Sequence, residues 1–110
     1  MGQADGEYQA EQRETLAEAP GLRVRLLSLA PGESVPWHLH NRISDTFVCL
    51  RGPMRVHLRE PDEIRDLQVG EMFEVKSPRP HHVHGAGNAP CKFIIIQGVG
   101  EYDYVGLDES

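Results

Sequence analysis

Two histidines one residue apart, His38 and His40, stand between Gly32 and Gly52, with Asp45 five residues beyond the second of them. In an extended segment side chains repeat with period two, so both imidazoles face one side and can reach the same ion. Asp45 can return along the next strand as a third ligand. A fourth candidate, His81, lies in another stretch that reads as extended. Imidazole and carboxylate form a donor set that divalent first-row transition metals accept. Three or four such donors on a six-coordinate ion leave positions for water, oxygen or a chelating substrate, which separates a catalytic centre from a closed structural one.

The elements that must position these residues are short. From residue 22 onward, apolar runs separated by turn residues predict strands over 22–29, 35–40, 45–50, 54–59, 64–69, 72–75, 81–84 and 91–99. Turn signals at such close, regular spacing mark an all-β sandwich or barrel. Met54 to Arg59 alternates apolar and polar residues, as a half-buried antiparallel strand does. Phe93-Ile94-Ile95-Ile96 is continuously apolar and predicts a strand buried on both faces. Residues 1–20 are polar, end at Pro20-Gly21, and are expected to form a short helix, an arm or a disordered tail. A single domain is expected over 21–100, followed by an acidic tail over 101–110.

A chain of 110 residues supports one core, so any active site lies inside that domain or at a subunit contact. The formal charge of −6 belongs to the ends: residues 1–19 carry five acids against Arg13, and residues 101–110 carry four acids and no base. The body is close to neutral and shows no basic stripe, which argues against nucleic acid as a partner. Nothing in the sequence is apolar for long enough to span a bilayer, and its start lacks a signal-peptide pattern. Two cysteines, Cys49 and Cys91, do not make the dense disulfide framework of a secreted mini-domain. A soluble, cytoplasmic protein is the expectation.

On these residues the chain resembles the cupin superfamily, whose small barrels carry two motifs. The first runs Gly, five residues, His-x-His, three or four residues, Glu, six residues, Gly, and is matched at Gly32, His38, His40 and Gly52, with Asp45 in place of Glu. The second runs from Gly to a His eleven residues later and an Asn four beyond that. Gly70 and His81 keep this spacing, Pro80 precedes the histidine, and Gly85 replaces the Asn; Lys76 and Pro78 stand where Pro and Gly are usual. The resemblance implies a jelly-roll (double-stranded β-helix) barrel in which His38, His40, Asp45 and His81 face the mouth and bind one divalent ion, iron, manganese, nickel or zinc. Because Asp is one methylene shorter than Glu, a three-histidine site with Asp45 orienting an imidazole from behind is the alternative.

In His81-His82-Val83-His84, alternation turns only His81 inward and sends His82 and His84 to the surface or a subunit contact. His57 falls on the polar side of its strand. Cys49 shares parity with Asp45 and reads as a small buried side chain, Trp37 packs outward beside His38, and Arg51 is a solvated arginine at a turn. Together these readings predict a metal-dependent enzyme on a small molecule, most simply a non-heme iron dioxygenase. A redox-neutral isomerase, lyase or epimerase on a sugar-type substrate and a non-enzymatic metal- or ligand-binding module are the alternatives. The resemblance also implies a homodimer, with the ends of the chain available to cross the contact.

Overall fold

The computed structural model describes residues 8–108, and they form ten strands. These are β1 Gln12–Ala19, β2 Leu22–Leu29, β3 Ser34–Leu39, β4 Ser44–Arg51, β5 Met54–Leu58, β6 Glu63–Leu67, β7 Met72–Val75, β8 His81–Gly85, β9 Cys91–Gly98 and β10 Val105–Gly106. They pair antiparallel into two five-stranded sheets, ordered β1-β2-β9-β4-β7 and β10-β3-β8-β5-β6. This is the two-sheet jelly roll expected from the spacing of turn signals. Gly32 and Gly70 take φ of +87° and +90° at turns, a conformation that costs glycine nothing and other residues strain.

The core lies between the inner faces of the two sheets. Leu27, Leu29, Phe47, Cys49, Phe93 and Ile95 enter from one sheet, and Val35, Met54, Val56, Leu58 and Val83 from the other, all nearly inaccessible. Phe47 and Phe93 meet edge to face with centroids 5.7 Å apart, a preferred aromatic geometry. Strand β5 alternates as its sequence predicts, with Met54, Val56 and Leu58 inward.

Two expectations change. Residues 12–19, anticipated as a helix, an arm or a disordered tail, form β1, which pairs with β2 along its length. Its own side chains are almost all exposed, so the strand exists because β2 offers it a ladder and not because it has an apolar face. The run Phe93 to Ile96 is buried on one face only: Phe93 and Ile95 point inward, while Ile94 is half-buried and Ile96 is 36 % exposed.

Cys49 and Cys91 are free and buried. Burial pushes both thiols up, that of Cys91 to about 12. A bulky thiol reagent at pH 8 is therefore expected to label neither cysteine in the folded protein and both after guanidinium unfolding, because the thiolate is the reactive species. Fast labelling of the native protein would contradict this packing.

Candidate metal centre

At one end of the fold, side chains from both sheets converge. His38 lies on β3, His40 one residue past its end, His81 at the first position of β8 and Asp45 on β4 of the opposite sheet. His38 and His81 are directly paired across the ladder. A register shift between Val35 and His38 lets both turn inward while Trp37 turns out. The interruption falls at Pro36, which cannot donate to a ladder and so is accommodated at such irregularities. The four side chains are 1 to 3 % exposed, and their ligand atoms lie within 4.8 Å of one another. All four sequence candidates are thus brought together.

The hydrogen bonds define which ring nitrogen faces the centre. His38 Nδ1 donates to the carbonyl of Pro36 at 2.7 Å and His81 Nδ1 to that of Arg79 at 2.9 Å. His40 Nδ1 donates to the carbonyl of Asp103. A carbonyl only accepts, so each Nδ1 carries its proton and each Nε2 is left to face inward. There the three Nε2 atoms surround one oxygen: Asp45 Oδ2 lies 2.8 Å from His81, 3.0 Å from His40 and 3.7 Å from His38. Gln97 Nε2 donates to Asp45 Oδ1 at 3.2 Å and fixes the carboxylate's rotation.

Electrostatics matches the geometry. Burial pushes the His38 imidazole down to about 4, so near neutral pH it holds one proton, at Nδ1, and presents a lone pair to the centre. On His40 burial, the largest single effect, works in the same direction, but Asp45 and Asp103 together outweigh it and raise that imidazole. Burial alone would raise Asp45; the surrounding histidines hold it well below the usual carboxylate range. A buried, ionised carboxylate needs positive charge nearby.

Several residues at the site carry no motif. Tyr104 stacks on His38, with centroids 4.6 Å apart and planes at 13°. Tyr102 lies beside His40 and under the guanidinium of Arg23. Asp103 anchors the intervening segment, its carboxylate accepting from the backbone N–H groups of Asn41 at 2.7 Å and Arg42 at 3.0 Å. The acidic tail, expected to be available to cross a subunit contact, closes over the centre of its own chain. Between tail and core a small cavity of about 20 Å³ reaches Tyr8, Arg25, His38, His40 and Asp45. Two of the additional residues had a signal in the sequence: Arg25 shares parity with Leu27 and Leu29, and Gln97 with Phe93 and Ile95, so each is a polar residue on an inward face. The tyrosines had none.

The family model described as "Cupin domain" matches residues 25–105. No curated protein matches the chain. Among solved structures, an uncharacterized conserved protein with a double-stranded β-helix domain from Klebsiella pneumoniae is 20 % identical, with TM-score 0.75 over 94 % of this chain and 88 % of that one. KdgF from Halomonas sp. is 20 % identical, with TM-score 0.71 over 86 % and 89 % of the two chains. A recombinant oxalate oxidase in complex with glycolate is 17 % identical, with TM-score 0.72 over 94 % of this chain and 57 % of the other. At these identities the likeness is one of fold.

Proposed function

The chain belongs to the cupin family, and on that premise we propose that it is a metal-dependent enzyme acting on a small molecule, most simply a non-heme iron dioxygenase. His38, His40, Asp45 and His81 are the ligands in this reading, and they take one divalent ion of iron, manganese, nickel or zinc. The observation that carries it is the direction of the imidazoles. Three Nδ1–H groups are held by backbone carbonyls, so three Nε2 atoms converge on an ionised, buried oxygen. A divalent cation at that point satisfies every one of these donors.

The same observation favours Asp45 as a ligand over an orienting partner. A carboxylate that orients a metal-bound imidazole holds the nitrogen turned away from the metal. Here those nitrogens are occupied by Pro36, Arg79 and Asp103, and Asp45 meets the other set. Pairing with β9 places it there: Asp45 is opposite Gln97, whose amide fixes Oδ1 and leaves Oδ2 to the three histidines.

When bound, such an ion supplies Lewis acidity, and iron also supplies reactivity toward oxygen. The remaining tasks fall to the chain. Leu27, Phe47 and Ile95 keep one side of the cavity dry, and Arg25 gives it a positive group suited to a small anionic substrate. Tyr104 and the segment around Asp103 cover the mouth, so a substrate reaches the cavity when that segment moves. The reading extends to a homodimer, supported by the outward row of Ile94 and Ile96 in register with Leu26 and Val24 on β2.

Oxygen-uptake assays on protein purified anaerobically and loaded with iron test the reaction class, against 1,3-diketones, catechols, thiols, keto acids and oxalate. Uptake matched by substrate loss is the expected result. Turnover without oxygen would reassign the protein to redox-neutral isomerase, lyase or epimerase chemistry, and saturable binding without turnover to a binding module.

A further inference from the structure

The opposite face of the same sheet carries a second group of imidazoles, and we infer that His57, His82 and His84 form a separate divalent-metal site on the outside of the barrel. The ladder places them there. His57 on β5 is directly opposite His82 on β8, and His84 lies two residues further along β8 on the same face. None of them enters the cavity of the inner centre.

Their ligand nitrogens lie within 4.8 Å of one another. His84 Nδ1 donates to the carbonyl of Gly85 at 2.7 Å, which fixes its proton there and turns the Nε2 lone pair outward. That lone pair meets His57 Nε2 at 2.7 Å, so His57 carries its proton on Nε2 when no metal is bound. A metal ion takes the place of this proton once it moves to Nδ1, and the ring stays neutral, since neutral imidazole holds its single proton equally at either nitrogen. His82 is held against Trp37, the two rings nearly parallel with centroids 5.6 Å apart, and Trp37 is covered in turn by the guanidinium of Arg59 at 3.8 Å. The one cation opposite His84, Arg55, is neutralised by Asp66 through two hydrogen bonds of 2.7 and 3.0 Å.

Three half-buried imidazoles with no acid among them suit a borderline ion such as zinc, nickel or copper, and leave a coordination position to water. The two sites share β8, His81 serving the inner one and His82 and His84 the outer one.

Zinc is the probe. The full chain, stripped by chelation, and its His57→Gln/His84→Gln variant are titrated with zinc, and bound metal is counted by elemental analysis after desalting. The variant is expected to hold one equivalent fewer than the unaltered protein, whatever the inner centre retains, so failure of the inner reading and failure of this one remain distinct. Equal uptake by the two proteins overturns the outer site. Should the variant not fold, anomalous scattering from zinc-soaked crystals of the unaltered chain decides. A peak about 2.0–2.1 Å from the Nε2 atoms of His57 and His84 is expected, and its absence overturns the inference.

Discussion

Asp45→Asn is expected to lower affinity for divalent metal by more than about 100-fold while leaving the metal-free protein folded. Loss of a group that only orients a ligand costs about 10–100-fold in affinity, so a larger loss identifies a ligand. The amide keeps the shape of the carboxylate. Its oxygen can still accept from Gln97 at the Oδ1 position, where the native distance is 3.2 Å. Its NH₂ then replaces Oδ2, 2.8 and 3.0 Å from the Nε2 atoms of His81 and His40, and removes the negative charge that a divalent ion would neutralise. A ligand present at 100 times its dissociation constant stabilises the folded state by about 2.7 kcal/mol. That increment should appear as a rise in melting temperature for the native protein and vanish in the variant. A variant that binds metal within about ten-fold of the native affinity would remove Asp45 from the ligand set.

How far the site could be read in advance follows from which contacts are local. His38 and His40 share a face because they lie two residues apart on an extended segment, and His81 and Asp45 follow from turn spacing that the glycines fix. Eight of the ten strands run close to their expected bounds for the same reason, since alternation and turns are properties of neighbouring residues. Strand β1 escaped because its partner ladder, and not its own pattern, makes it a strand. Ile96 was misplaced because a run of apolar residues does not say whether a second layer covers the outer face. The tail escaped most completely. Tyr104 reaches His38 only because Val105 and Gly106 pair with Leu39 and His38, a contact more than sixty residues away in sequence, and no periodicity in 101–108 announces it.

Gly100 seats the start of the tail against Arg42, and Gly100→Ala is expected to disturb both stability and the metal centre. Gly100 has φ of +151°, and a Cβ there would lie 2.4 Å from the carbonyl oxygen of Arg42, a backbone atom that no side-chain rotation moves aside. Strained backbone and overpacking each cost about 1–3 kcal/mol, so a loss of about 3 kcal/mol is expected, about ten degrees or more of melting temperature for a chain of this size. The displaced segments are the ones that cover the site. Arg42 bonds Glu101 at 2.5 Å and, with Asn41, donates to the Asp103 carboxylate, whose backbone carbonyl holds His40. Separating 41–43 from 100–104 therefore frees the His40 ring and lifts Tyr104 from His38, so metal should exchange faster as well as the protein melting earlier. Val99→Ala is the control: Val99 is 84 % exposed, and its truncation should leave both measurements unchanged. A Gly100→Ala protein that melts and exchanges metal like the control would mean that the tail is not seated through this contact.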